Sequence, residues 1–256
     1  MGRRKMASLF GSIFRKAPLH ERMRARLSDH AMNQGFCIMP ALGIIYASVP
    51  KVACTSLKAM FFELHGASSD VNISAIHDVA RQPWQHVSDY TVEGFAALIE
   101  RRELRLVAFV RDPFARLASC YVNQFRYPLN YWDDPRRVGL RAQLLEDPMK
   151  PASFAEFVEA VARQRPGEMN THWAPQAHQL CIPDLAYDFV GRVEAMEADL
   201  ARLGGVIGRE LKPVKAWNVT SAGSDLRSLY SPETEALAAK IYAQDFRTFG
   251  YLPRLA

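Results

Sequence analysis

The sequence predicts an α/β fold, a single domain built around a central parallel sheet. Three stretches carry that expectation. Residues 104–110 (LRLVAFV) form a nearly continuous apolar run, as expected of a strand buried on both faces, and Pro113 follows as the start of a helix. Residues 44–47 (IIYA) are apolar and β-prone, and they feed a Pro-Lys turn and a helix. Residues 187–192 (YDFVGR) form a short strand pattern with a helical pattern behind it. Strand followed by helix, three times, is the pattern of a parallel sheet with helices on its faces.

The elements follow in chain order. Residues 1–26 hold eight Lys/Arg (Arg3, Arg4, Lys5, Arg15, Lys16, Arg22, Arg24, Arg26) against Glu21 alone, whereas the whole 256-residue chain carries only +5. The basic character therefore belongs to this segment, and the remaining chain is near neutral. Met6, Leu9, Phe10, Ile13 and Phe14 recur at helical spacing, so residues 1–30 are expected to form a basic amphipathic N-terminal segment. Its two readings are peripheral contact of residues 1–26 with an anionic membrane and an ordinary docking helix or frayed tail. No apolar run has the length of a secretory core or a spanning helix, and the expected location is the cytoplasm, peripheral at the inner membrane face. Residues 36–47 read as one or two strands, and 56–64 as a helix ended by Gly66. Residues 67–90 read as loop, 92–101 as helix, and 104–110 as strand. In the helix from Pro113, Phe114, Leu117, Ala118 and Tyr121 repeat at helical period, and proline suits the first turn. Residues 126–151, rich in Pro, Arg and Asp, look like a surface insertion. Helices over 154–163, 197–203 and 232–246 complete the pattern. No repeat or linker divides the chain, so residues 31–256 are read as one domain. Cys37, Cys54, Cys120 and Cys181 are dispersed without ligand spacing, and no metal is expected.

The segment Pro50-Lys51-Val52-Ala53-Cys54-Thr55-Ser56-Leu57-Lys58 joins a strand end to a helix start, where unpaired N–H groups and the helix dipole favour an anion. Lys51, Thr55, Ser56 and Lys58, with the N–H groups of Val52, Ala53 and Cys54, are the candidate anion ligands. A Walker loop would show G-x-x-x-x-G-K-[ST]. This loop has no glycine, and its lysine comes first. No acid-ended strand offers to hold Mg²⁺, so the anion is one that reacts without a metal. A second candidate site, Arg111-Asp112-Pro113-Phe114-Ala115-Arg116-Leu117-Ala118-Ser119, follows the next strand end, where α/β folds bind ligands. Arg111 would clamp a phosphate, and Ser119 would donate to it. The competing reading is an internal Arg111–Asp112 ion pair with Ser119 on the helix surface.

Two anion sites on successive strand ends suit a nucleotide with charge at both ribose ends. In PKVACTSLK and RDPFARLASCYVNQF the chain resembles the PAPS-dependent carbohydrate sulfotransferases of the chondroitin/HNK-1 type (sulfotransferase family 2), as an intracellular, bacterial-like member. The resemblance covers about residues 42–251. It includes Asn170-Thr171-His172-Trp173, Tyr187-Asp188-x-Val190-Gly191 with Glu194, Tyr242-x-x-Asp245-Phe246, and Phe249-Gly250-Tyr251. It implies a P-loop-like three-layer fold and 3′-phosphoadenylyl sulfate (PAPS) as sulfate donor. It also implies that the first loop binds the 5′-phosphosulfate, with Lys51 catalytic, and that Arg111 and Ser119 bind the 3′-phosphate. One departure is Cys181-Ile182-Pro183-Asp184, where many relatives read Cys-x-Pro-Cys.

Histidine is the natural base for the acceptor hydroxyl. His86, on the loop before the 104–110 strand and followed by Val-Ser as in a related branch, is the first candidate. His77 and His172 stand in reserve. His20, His30, His65 and His178 read as surface or packing residues. By resemblance the segment from Trp217 to Arg227 is a lid, with Arg227 as a further phosphate contact. The expected acceptor is a hydroxyl of a saccharide or glycolipid, and no nucleic-acid partner is expected. Two other classes compete: a P-loop-like nucleotide kinase, and a non-catalytic nucleotide binder attached to a membrane by its basic N-terminus.

Overall fold

The computed structural model describes residues 17–67, 76–129, 135–214 and 226–255. In chain order its elements are α1 (Leu19–Arg24), α2 (Asp29–Gly35), β1 (Phe36–Met39), β2 (Ile44–Ala47), α3 (Cys54–Leu64), α4 (Val92–Glu100), β3 (Arg105–Val110) and α5 (Pro113–Gln124). Then come α6 (Pro135–Arg141), α7 (Phe154–Ala162), α8 (Gln176–Gln179), β4 (Phe189–Arg192), α9 (Met196–Ile207), α10 (Leu226–Leu229), α11 (Pro232–Ile241) and α12 (Ala243–Phe249). The four strands form one sheet in sequence order, β2–β3 and β3–β4 parallel and β1–β2 antiparallel. The expected parallel α/β sheet is therefore present, with an antiparallel edge. The 36–47 stretch splits at Pro40–Leu42, and Gly43 takes a left-handed φ of 67° to reverse the chain.

Every residue of β1 and β2 is buried, as is all of β3 after Arg105. Neighbouring strand residues point to opposite faces, so both faces are covered and the domain has three layers. Gly191 in β4 is demanded by packing: a Cβ there would stand 2.5 Å from the Phe109 ring. A second apolar cluster, around Phe114, Phe125, Phe157, Trp173, Tyr242 and Phe246, packs among α5, α7 and α11–α12.

Three segments add to the sequence pattern. The described residues of the 126–151 insertion lie largely at the surface, as read, but they are anchored there by Arg141, which is fully buried and donates to the carbonyls of Gln124, Tyr127, Pro148 and Lys150. The last helix is two, broken at Tyr242, whose hydroxyl donates to the Trp173 carbonyl at 2.6 Å. The break brings the Asp245 carboxylate to the start of α8, where it accepts from the N–H groups of Gln176 and Ala177, both at 2.8 Å.

The third concerns the basic N-terminal segment. Its first sixteen residues lie outside the described ones. From residue 19 onward, Leu19, Met23 and Leu27 are buried in the same core as the sheet. Arg22 and Arg26 both bond Asp184, at 2.7 and 2.8 Å, and Arg24 pairs with Glu93 at 2.9 Å. Asp184 thus stands where the resemblance expects a second cysteine, and it fastens α1 to the domain by charge. Burial of Asp184 opposes its ionisation, but the two guanidinium bonds outweigh it and hold its pKa below the ordinary value. The clamp's contribution is therefore present above the unfolded carboxyl's pKa and is lost as pH falls through the lower folded value. Asp184→Ala is expected to destabilise the protein by about 1–2 kcal/mol and to open the 22–26 segment to trypsin. An unchanged Tm and digestion pattern would show that α1 docks through its apolar residues alone.

Candidate active site

The parallel pairing of β2 with β3, Ala47 beside Ala108, sends both candidate anion motifs out of neighbouring strands in the same direction. The first becomes a tight loop ending at α3. Lys51 and Ala53 take φ values of 70° and 58°, the left-handed region that costs a side-chain-bearing residue roughly 1–2 kcal/mol. Such strain persists where the surroundings hold it. Here two arginines do so: Arg116 Nε donates to Pro50 O at 3.0 Å, and Arg111 Nη1 to Lys51 O at 3.3 Å. Ala53 offers no side-chain cap to α3, so no capping side chain from that position competes with an anion at the helix start.

The loop opens on a cleft of about 1240 Å³ whose lining includes Lys51, Cys54, Thr55, Lys58, His77 and His172. Lys58 is only 4% exposed. No carboxylate among the described residues forms an ion pair with Lys51 or Lys58. Burial, ahead of any neighbouring charge, lowers the Lys51 pKa. Among the described lining residues the sole acid is Asp78, which is paired with Arg81 at 3.3 Å. Two lysines at a helix start without internal counter-charge are a cradle for a polyanion.

The histidines separate by position. His77 Nε2 lies 2.9 Å from the Thr55 hydroxyl. His172 Nδ1 lies 2.8 Å from Asn170 Oδ1. Burial, then nearby lysines, lowers the His77 pKa to about 4. Burial, then Lys51, Arg116 and His77, does the same to His172. Both rings are therefore neutral at pH 7. His86 does not line the cleft: it is 6% exposed, and burial lowers its pKa. His30, read from sequence as surface or packing, lines the cleft from α2 together with Gln34.

The second motif is held by its backbone. Gln176 accepts from Arg111 N at 2.9 Å and donates to Arg111 O at 2.8 Å. Asp112 caps α5 by accepting from Ala115 N, and its own N–H donates to Glu194, which also accepts from the Tyr251 hydroxyl. Glu194, Tyr242, Asp245 and Tyr251 from the resemblance's later motifs thus serve as braces for the motif and for α8. Arg111 meets the loop at Lys51 O. Ser119 is buried in α5 beside Cys120, whose thiol is pushed up to about 11 by burial. Neither Arg111 nor Ser119 lines the cleft. Arg227, on α10, is exposed and donates to Leu255 O at 3.3 Å; it too lies off the cleft lining. Residues 217–225 of the expected lid lie outside the described residues.

The residue that sequence reasoning left without a role is Arg116. At 1% exposure it donates to Pro50 O at 3.0 Å, Ala174 O at 2.8 Å and Thr171 O at 2.8 Å. It ties the loop carrying Lys51 to the segment carrying His172.

Comparison with known proteins fits this arrangement. No solved structure matches the chain. Among curated proteins it is 28% identical to carbohydrate sulfotransferase 14 of Danio rerio over 81% of this chain and 59% of that protein. It is 28% identical to carbohydrate sulfotransferase 11 of Rattus norvegicus over 81% and 64%, and 31% identical to carbohydrate sulfotransferase 9 of Homo sapiens over 66% and 40%. The chain therefore spans less than two thirds of the length of these relatives. The model of the sulfotransferase family matches residues 34–252, which takes in both anion motifs, the Asn170–Trp173 segment and the braces behind them. With that match over most of its length, the chain belongs to the sulfotransferase family.

Proposed function

We propose that the protein transfers a sulfuryl group from 3′-phosphoadenylyl sulfate to a hydroxyl of a saccharide or of a glycolipid headgroup. One observation carries the reading: Lys51 and Lys58, neither of them ion-paired among the described residues, flank a helix start without a side-chain cap and face the same cleft as two neutral histidines. The donor would supply an activated sulfuryl group on a phosphate leaving group. Thr55, Ser56, Lys58 and the N–H groups of α3's first turn would hold its 5′ end. Lys51 would neutralise the charge that grows on the leaving phosphate. Arg111 and Ser119 would take the 3′-phosphate, with Arg111 already fixed against the loop. A neutral histidine on the cleft wall would accept the proton of the acceptor hydroxyl.

The test is a pair of titrations of the purified protein, one with adenosine 3′,5′-bisphosphate and one with ATP–Mg²⁺, followed by transfer assays with sulfate-labelled donor. The bisphosphate is expected to bind at least tenfold more tightly. Preference for ATP–Mg²⁺ would replace this reading with a nucleotide kinase. Tight bisphosphate binding with no transfer to a broad panel of p-nitrophenyl glycosides, desulfated polysaccharides and glycolipids would leave a non-catalytic binder.

A further inference from the structure

We propose that His172 is the acceptor-side base and that Asn170 is the positioning residue that fixes its tautomer, leaving Nε2 as the free lone pair. This rests on the sulfotransferase reading above. Asn170 Oδ1 accepts from the backbone N–H of His172 at 3.1 Å, which settles the orientation of the amide without reference to the ring. The amide's other end agrees, since Asn170 Nδ2 donates to Gln143 Oε1 at 3.1 Å. The same Oδ1 lies 2.8 Å from His172 Nδ1, and a carbonyl oxygen can only accept. Nδ1 must therefore carry the hydrogen. In a neutral ring that leaves Nε2 unprotonated.

His77 is bound differently. Its Nε2 faces a hydroxyl that the proposed function needs as a donor to phosphate. A hydroxyl has one hydrogen. If Thr55 donates to phosphate, His77 Nε2 must donate to Thr55, which leaves the ring's lone pair on Nδ1, on the side turned away from the Thr55 hydroxyl. His77 thereby belongs to the phosphate grip. His86 is buried off the cleft lining. Of the three candidate bases, His172 alone lines the cleft with its tautomer set by a group outside the phosphate grip, and with Nε2 as the bare nitrogen.

The charges that face the ring are Lys51 and Arg116, with His77 close by, and together with burial they favour the neutral form. Arg116 is anchored to Thr171 O and Ala174 O on either side of His172, so it also fixes the backbone that carries the ring. The proton step is balanced: the acceptor O–H proton passes to Nε2 as the oxygen bonds sulfur, the ring becomes an imidazolium held at Nδ1–H by Asn170, and the S–O bond to the phosphate breaks with its electron pair on the phosphate. An anion seated against Lys51 cancels part of the field that keeps His172 neutral. Donor occupancy should therefore strengthen the base at the moment it is required.

Nitrogen-15 chemical shifts of the His172 ring in the full chain read the tautomer without any turnover. The expected result is a protonated Nδ1 and a bare Nε2 at pH 7, with the ring's pKa rising when adenosine 3′,5′-bisphosphate is added. A ring protonated at Nε2 overturns the proposal. In transfer assays with labelled donor, His172→Gln is expected to lose roughly 10²–10⁴-fold in kcat while bisphosphate affinity, which also reports folding, changes less than threefold. Asn170→Ala should lose the tautomer preference and part of kcat. Asn170→Asp should keep Nδ1–H, restore turnover, and move the acid limb of the rate upward because a carboxylate stabilises the imidazolium. Near-normal kcat in His172→Gln, or an unmoved acid limb in Asn170→Asp, sinks this inference alone. If the unmodified protein transfers no sulfate to any acceptor, both this inference and the function it rests on fall.

Discussion

Lys51→Ala is expected to slow sulfuryl transfer by about 10²–10³-fold while adenosine 3′,5′-bisphosphate binds nearly as before. The substitution is a clean probe of charge. Alanine bears the same left-handed backbone cost as lysine, so the φ of 70° is no easier to hold afterwards. The loop's position is set by bonds to the carbonyls of Pro50 and Lys51, which a side-chain change leaves in place. Lys58, the hydroxyls of Thr55 and Ser56 and the helix start of α3 would still hold the anion under the proposed function. What disappears is one ammonium at the loop's start, and its worth is greatest where charge develops during bond breaking. Single-turnover rates set against bisphosphate Kd make the comparison. Equal losses in both would mean that Lys51 merely binds. Because burial lowers the Lys51 pKa in the free protein, the alkaline limb of kcat/KM should begin below the ordinary lysine value of about 10.4, and Lys51→Ala should erase that limb.

The sequence was most legible where one physical demand dominates. The 104–110 run could only be a strand covered on both faces, and Val107–Val110 are all within 1% of full burial. The candidate anion loop was visible as a strand, a turn, hydroxyls and lysines, and it folded as a turn into α3. What the loop's chemistry hid was its conformation: without glycine, nothing in PKVACTSLK announces two left-handed residues, because the forces that impose them come from arginines some sixty residues away. The histidines show the same limit. His86, His77 and His172 all sit in polar stretches, and spacing from Arg111 says nothing about which ring turns into the cleft. Asn170, two residues before His172, was in plain view as part of a motif, yet its role depends on a backbone turn that only the fold reveals. Arginine proved the hardest type to place. Arg116 and Arg141 look like surface charge in sequence and are among the most buried side chains of the molecule. For Arg116 a signal existed: it is the only charged residue between Pro113 and Gln124, and a helix with one charge has little surface to give to water.

Arg116→Leu should therefore be far more damaging than a surface arginine change, which is usually within about 0.5 kcal/mol. The guanidinium's three bonds go to carbonyls of three different residues, Pro50, Thr171 and Ala174, converging on a site closed to water. Leucine fills part of the space and leaves those acceptors without donors, a cost of about 3 kcal/mol or more. Burial is already the largest influence on Arg116, lowering its pKa, with Tyr242 and Asp245 opposing, so the charge is kept by its partners rather than by solvent. Arg116→Lys keeps the charge but not the planar fork, and one ammonium cannot reach three separated carbonyls in the guanidinium's geometry. The lysine variant should fold with a lowered Tm and lose turnover well beyond its loss of bisphosphate affinity. The reason is geometric: Arg116 holds the Lys51 loop and the His172 segment against one another, and catalysis depends on their spacing more steeply than binding does. Thermal unfolding and kcat of both variants decide it. A leucine variant with unchanged Tm would show that the three carbonyls find other donors, and a lysine variant with full turnover would show that the two walls of the cleft are aligned without this tie.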